Sequence, residues 1–381
     1  MSAHAAVGTA GKRFLLIIEN RRQARAIERD WKRLYRECGS PNPFLSWEWQ
    51  QAWLESEPPG VQPLIVAEAG ADGSLAGLLA LQRVRPPSAA GKLGLRQLEF
   101  LGRAADPDEM DCLAHPATDD GLAERLMTAA LTRGGWELLR LEAARSDGSL
   151  ARLWARLSHG FPAWGGSARV EAGDWLPYLP LPESFEAMLG EHSANFRSEV
   201  RRRRRAFARA LPEARLECAD TPGPIAGALD HLYRLHNLRR TQKNTRGIFE
   251  VDWVRTFHHE LGRGLAARGE ARVYLLRTRT EVIAGLYGFE VGGHGGRFLY
   301  YQSGFDQAFA GHSPGTVLLS GVMEDCIRRG LRQFEFLRGE EGYKARWTQL
   351  RRPTVNLMAS RGVGRGWMQL RAAHARWRRP A

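Results

Sequence analysis

The chain has 381 residues, more than one hydrophobic core ordinarily serves, so two domains are expected. Apolar residues at 43% and charged residues at 25% exclude a largely disordered chain, and no apolar run approaches the ~18 residues that a membrane crossing takes. The formal net charge is +13, with five lysines among 55 basic residues; a field of that sign draws nucleic acid, acidic headgroups or a polyphosphorylated cofactor without choosing among them.

Phe14–Ile18 is too short for a signal core and lacks a cleavage site, so it reads as a buried first strand. Gln23–Cys38 follows with helical spacing, placing Ile27, Trp31 and Leu34 on one face. Ser46 is placed to cap a helix on which Trp49 and Trp53 share a face, and core packing is favoured there over a stacking platform for bases. Residues 63–68 and 75–81 around Asp72-Gly73 form a hairpin pattern. Strands at Gln97–Leu101 and Trp136–Leu141, separated by a helix over Gly121–Thr132, complete one α/β unit. At Ala163–Asp174 the pattern lapses into glycine and small residues, which marks a domain junction.

The second unit restarts at Leu176–Leu179. Helices are expected near Ser184–Leu189, Asn195–Leu211, Ile225–Leu238 and Val251–Ala267, then strands at Arg272–Arg277, Val282–Val291 and Arg297–Phe305. A helix from Gly315 to Arg329 ends at Gly330, and strands near Gln333–Leu337 and Thr354–Ser360 follow. Domains of 1–174 and 175–362 result, with a basic tail at 363–381. Trp367, Leu370, His374 and Trp377 recur at helical spacing in that tail, among arginines. Packing on its own domain is the commoner fate of such a tail, and weak contact with a membrane surface is the alternative. Cys38, Cys112, Cys218 and Cys326 show no Cys-x-x-Cys pair and no histidine completing a zinc set, so reduced thiols, a cytoplasmic setting and no metal are expected.

The chemistry concentrates where strand Phe298–Phe305 passes through Asp306, Gly311, His312, Ser313, Pro314, Gly315 and Thr316 into a helix. A strand feeding a glycine-containing loop and a helix start presents unpaired backbone N–H groups with the helix dipole behind them, which suits a pyrophosphate. A plain crossover connection would look the same without context. Here three strands, this helix, and a short strand with a charged loop give the order of an acetyltransferase core.

Four stretches carry a family resemblance: Pro43-Phe44-Leu45-Ser46-Trp47-Glu48-Trp49; Trp175-Leu176-Pro177-Tyr178-Leu179-Pro180-Leu181-Pro182 with Asn195–Arg202; Tyr300-Tyr301-Gln302-Ser303-Gly304-Phe305-Asp306 with Ser313-Pro314-Gly315; and Phe334-Glu335-Phe336-Leu337-Arg338-Gly339-Glu340-Glu341-Gly342-Tyr343-Lys344-Ala345-Arg346-Trp347. On these the chain resembles the CelD/BcsL-type (BioF2-like) acetyltransferases of the GNAT superfamily. The resemblance implies two tandem α/β acetyltransferase domains with mixed central sheets, and acetyl-CoA or another acyl-CoA as co-substrate. It also implies an amine acceptor such as an amino sugar or surface-polysaccharide precursor. The usual Arg/Gln-x-x-Gly-x-Gly/Ala phosphate loop is replaced by Phe309–Gly315.

Acyl transfer to an amine takes a base for the amine proton, donors for the oxyanion and an acid for the departing thiolate. Glu335 is the expected base, although its alternation with Phe334 and Phe336 also fits a solvent-facing carboxylate. Tyr343 is the expected acid, with a loop anchor or acceptor contact as its alternatives. Ser303, Gly304, Phe305, Gly311, His312, Ser313, Gly315 and Thr316 are the cofactor candidates. Tyr301, Asp306, Arg338, Lys344 and Arg346 are the acceptor candidates, Asp306 also suiting a cap on the loop. The run Arg201–Arg205 fits a solvated helix as well as an anion patch; no aromatics interleave it, so no specific nucleic acid is expected. Two other readings remain: a Fem-like transferase using aminoacyl-tRNA, and a non-catalytic component of polysaccharide biosynthesis.

Overall fold

The computed structural model describes residues 13–39, 41–157, 167–241, 251–339 and 341–366. The first part of the chain contains β1 (Phe14–Ile18), α1 (Arg21–Ala26), α2 (Glu28–Glu37), α3 (Trp47–Glu55), β2 (Gln62–Ala69), β3 (Leu75–Val84), α4 (Ala89–Lys92), β4 (Gln97–Phe100), β5 (Leu113–Ala114), α5 (Leu122–Thr132), β6 (Leu138–Arg145) and α6 (Ser149–Leu157). The second contains β7 (Ser167–Pro180), α7 (Phe185–Gly190), α8 (Ala194–Ala210), β8 (Arg215–Ala219), α9 (Pro222–Thr241), α10 (Asp252–Ala266), β9 (Ala271–Arg277), β10 (Val282–Val291), β11 (Arg297–Phe305), α11 (Pro314–Arg328), β12 (Gln333–Glu335), α12 (Lys344–Trp347) and β13 (Arg351–Ser360).

The strands form one mixed sheet in the order β1-β2-β3-β4-β6-β13-β7-β12-β11-β10-β9-β8, with β5 beside β3. The order is palindromic. On each side four antiparallel strands run inward, a crossover containing a helix (α5 or α11) leads to a strand paired in parallel with the fourth, and an antiparallel strand lies beyond it. The chain therefore holds two tandem acetyltransferase-type units: β7 opens the second and flanks β12, β13 returns from the far end of the sequence to flank β6 of the first, and the two pair with each other.

In the second unit, alternation sends neighbouring residues to different cores. Val273 and Leu275 join the large core that runs into the first unit, while Tyr274 and Leu276 pack with α7, α8 and α11. Trp49 and Trp53 are fully buried in the large core, where Trp49 meets Phe257 edge-on at 5.0 Å, so these aromatics pack rather than stack bases. Ser46 caps α3, its Oγ accepting from Trp49 N at 3.2 Å.

Three expectations change. The helix expected over Gln23–Cys38 is two helices broken at Ile27, whose φ of −106° is not helical. The first strand lies at the sheet edge with Phe14 and Leu15 exposed. The stretch read as a junction is a strand from Ser167 on, and β7 runs unbroken through positions 174 and 175. Gly173 is there for close approach: a Cβ would fall 2.4 Å from Thr354 Oγ1, beside a register shift in β13. The tail from 367 lies outside the described residues.

Candidate active site

β11 and β12 pair at only three positions, Arg297–Gln333, Phe298–Phe334 and Leu299–Glu335. Beyond them the strands part. Phe336 N turns to Pro177 O on β7 at 2.9 Å, while β11 continues along β10 to Phe305. Among the described residues the edge of β11 from Tyr300 to Phe305 therefore has no strand beside it, and a V-shaped cleft opens. Between Tyr287 and Gly288 the β10–β11 register slips by one, leaving Tyr301 as the extra residue of a bulge. Bulges re-aim side chains and occur beside active sites; here Tyr300, Tyr301, Gln302 and Ser303 all reach one cavity.

Two cavities occupy the cleft. One, of about 400 Å³, lies between the N-terminus of α11, the open edge of β11 and α8; Ser303, Gly304, Phe305, Ser313, Gly315 and Thr316 line it, with Arg203 and Trp347. The other, of about 530 Å³, lies at the seam of the two units and is lined by Asp106 and Asp108 of the first with His236, Tyr300, Tyr301, Arg338, Glu341, Tyr343 and Lys344 of the second. They share Tyr300, Ser303 and Tyr343. The Tyr343 hydroxyl donates to Tyr300 Oη at 2.9 Å, and Tyr300 in turn bonds Ser303 Oγ. A chain of three hydroxyls thus stands where the cavities meet.

The first cavity suits an anion at one end. α11 starts with Ser313 in the left-handed region (φ 55°) and Pro314 at its first turn, and its first turn carries no acidic residue. Arg203, from the arginine run, pairs with Glu199 through Nη2 at 2.5 Å and donates from Nη1 to Thr316 Oγ1 at 3.1 Å, which holds its guanidinium beside this helix start. The matching helix of the first unit is the reverse case. Asp119 Oδ1 accepts Gly121 N at 2.8 Å at the start of α5, and Glu124 lies in its first turn. Hydrogen bonds from Arg125 hold the Asp119 carboxyl below the usual carboxylate range, so it stays charged and occupies the position an anion would take.

The second cavity is framed by a strained turn. Asp106, Glu109 and Leu337 have φ of 52°, 54° and 54°, a region that costs a non-glycine residue about 1–2 kcal/mol. Interlocked polar contacts hold these residues there. Buried Asp108 accepts Arg338 N at 3.0 Å and Nε at 2.7 Å. Burial pushes its carboxyl up, against the pull of Arg338. Asn42 Nδ2 donates to the carbonyls of Asp108 (3.0 Å) and Glu109 (2.9 Å), so the residue just ahead of the Pro43–Trp49 stretch positions the acidic loop. Buried Lys344 donates to Arg338 O at 2.6 Å and pairs with Glu341 at 2.9 Å. Tyr301 closes one wall, its hydroxyl donating to Ala105 O at 2.5 Å.

Several expected residues stand elsewhere. Glu335 lines neither cavity. It is buried between Arg352 Nη2 (2.5 Å) and Arg297 Nη1 (3.4 Å), and burial raises its carboxyl to about 6. Gly311 and His312 are exposed and outside the lining. Asp306 caps the loop helix, accepting Ala308 N at 3.0 Å. Arg346 pairs with Glu199 and lies over Phe196, 5.7 Å from the ring centroid. Gly304 lines the first cavity but is small for a second reason: a Cβ would meet the backbone of α9 at His236 N, 3.2 Å away. Sequence reasoning missed Asp106, Asp108 and His236, and left Arg203 open within the run Arg201–Arg205. The one available signal was Asp106-Pro107-Asp108-Glu109, an acidic cluster in a strongly basic chain.

The acetyltransferase (GNAT) domain family matches residues 194–345, which include the second unit's side of both cavities except Trp347. With the doubled fold, this defines an acyltransferase with a GNAT-type domain. Among solved structures, the chain is similar to FemX, with 10% identity, 87% of this chain and 95% of that one covered, and a TM-score of 0.57. It is similar also to a C-terminal (DUF2156) domain from Agrobacterium fabrum assigned to a lysylphosphatidylglycerol synthetase (11%, 92% and 96%, TM-score 0.55). A Bacteroides thetaiotaomicron protein of unknown function is a third (10%, 88% and 97%, TM-score 0.54). At these identities the likeness is one of fold. No curated protein matches the sequence. Among the described residues no group of His, Cys, Asp or Glu is arranged to hold a metal ion, and no helix is long and apolar enough to cross a membrane.

Proposed function

We propose that the protein transfers an acyl group from acyl-CoA to the amine of a small acceptor, the donor in the cavity at α11 and the acceptor in the cavity at the seam. The observation that carries this is the shared wall: two cavities of unlike chemistry meet only at Tyr300, Ser303 and Tyr343. From Tyr300 to Phe305 the open edge of β11 extends roughly 17 Å, room for the arm that joins a thioester to its pyrophosphate. The pyrophosphate lies against the Gly315 amide and Arg203, with the helix dipole behind.

The amine nitrogen attacks the thioester carbonyl carbon, and backbone N–H groups of the open β11 edge take the charge that grows on oxygen. His236 takes the amine proton in place of the distant Glu335. The carbon–sulfur bond breaks, and the thiolate receives a proton from Tyr343; the proton that His236 took from the amine returns through Ser303 and Tyr300 to Tyr343, restoring both groups. An amino sugar or surface-polysaccharide precursor as acceptor, and membership of the CelD/BcsL-type group, rest on the motif resemblance.

One observation favours a second reading, an aminoacyl-tRNA-dependent transferase. The fold likeness to FemX and to the synthetase domain spans 87% and 92% of the chain, and Arg203 of α8 lines the donor cavity. The test is thiol release from acetyl-CoA across a panel of amines, alongside thermal shifts with acetyl-CoA and with charged tRNA. Saturable stabilisation by acetyl-CoA and acceptor-dependent thiol release support acyl-CoA chemistry. No response to millimolar acetyl-CoA, with stabilisation by charged tRNA, would transfer the case to the second reading.

A further inference from the structure

A third cavity, of about 360 Å³, lies at the closed end of the V, where β11 and β12 still pair, and is lined by residues from both units. Its walls carry Arg145, Arg297, Arg332 and Arg352, with the glycine-rich β10–β11 hairpin, Gly292–Gly296, at its mouth. The carboxylates facing this group are Glu109 in the lining and Glu335 beneath it. Arg297 Nη1 reaches Glu109 at 2.7 Å and Glu335 at 3.4 Å, and Arg352 reaches Glu335 at 2.5 Å and Glu109 at 3.5 Å. Asp147 engages Arg145 from outside the lining, at 3.0 Å. Arg332 is exposed, and no carboxylate among the described residues pairs with it.

Two carboxylates therefore serve both Arg297 and Arg352, and two further guanidiniums face the same space. Like charges gathered in a recess of low dielectric repel, and a multivalent anion relieves this. Guanidinium forks match phosphate oxygens in pairs. The glycines add no side-chain bulk at the mouth.

We propose that this recess is a binding site for a phosphate-bearing small anion, separate from the donor and acceptor cavities. The ligand bridges Arg332 and Arg145 across the seam while Arg297 and Arg352 remain on their carboxylates. Its place at the vertex sets it against the first residue of β11, Arg297, and the last of β12, Glu335, the strands whose divergence makes the reaction cleft.

The test is calorimetric titration of the full chain with inorganic pyrophosphate at constant ionic strength, on wild type, Arg332→Gln, Arg145→Gln and Arg203→Gln. The expected result, with the donor cavity held by saturating coenzyme A, is saturable binding that weakens at least tenfold in Arg332→Gln and in Arg145→Gln and by less than threefold in Arg203→Gln. Circular dichroism and acetyl-CoA thermal shift of the same variants check the fold and the donor cavity independently, so the two sites fail separately. Absence of saturable binding overturns the proposal. So does binding lost in Arg203→Gln but kept in Arg332→Gln, since the anion would then sit at α11.

Discussion

Replacing Glu335 by glutamine separates a buried ion-pair role from a catalytic one. Its carboxyl titrates at about 6 in the folded chain, against an ordinary 4.5, because burial outweighs the pull of Arg352 and Arg297, with Glu109 adding repulsion. A shift of about 1.5 units at about 1.36 kcal/mol per unit corresponds to roughly 2 kcal/mol. For a carboxyl raised in the folded state, the sign is fixed. The proton is held more tightly folded than unfolded, so the contribution is full below pH 4.5 and is lost as pH rises through about 6. Glutamine stands in for the protonated form. Urea unfolding of wild type and Glu335→Gln between pH 4 and 7 should therefore show the variant gaining about 2 kcal/mol on wild type over that range, other titrations cancelling in the difference. Thiol release should stay within about threefold of wild type, an effect of under ~1 kcal/mol. A flat or opposite pH trend would refute the burial argument. A hundredfold loss of turnover would return Glu335 to the reaction.

Tyr343→Phe should lower kcat by about 10–100-fold with KM for acetyl-CoA little changed, because it removes a proton donor at the shared wall and no contact at α11. Gly315→Val should abolish the acetyl-CoA thermal shift while leaving the far-ultraviolet spectrum intact: the nearest atom to a Cβ there is a Phe305 ring carbon at 3.8 Å, across the donor cavity. Arg338→Ala strands buried Asp108 and should cost about 3–5 kcal/mol by denaturant unfolding. The double change with Asp108→Asn should cost less than Arg338→Ala alone.

Much of this architecture was legible along the chain. β10 and β11 match the strands expected at Val282–Val291 and Arg297–Phe305, and α11 begins one residue from its expected start, because their apolar periods are long and end at glycine or proline. β7 was not, since residues 167–175 are mostly solvent-facing and its one glycine answers a close approach of Thr354 that only tertiary structure reveals. β8, four of whose five residues are exposed, escaped for the same lack of period. At the site, contiguous motif residues were readable: Ser303–Phe305, Ser313, Gly315 and Thr316 do line one cavity. What crosses the seam was not. Asp106 and Asp108 lie more than two hundred positions from Arg338, and no local pattern announces that meeting.

The returning strand also governs how a substrate gets in. β13 lies against β6 in the first unit and is laced to β7 of the second from Arg351–Pro177 to Ser360–Ser167, so a continuous ladder ties the two halves and resists their swinging apart. Admission to the seam then falls to the side chains that line the acceptor cavity rather than to gaping of the units. A polypeptide severed ahead of Ser167 would leave β13 on the second piece, and the first would lack the strand that flanks β6 except in the other's company.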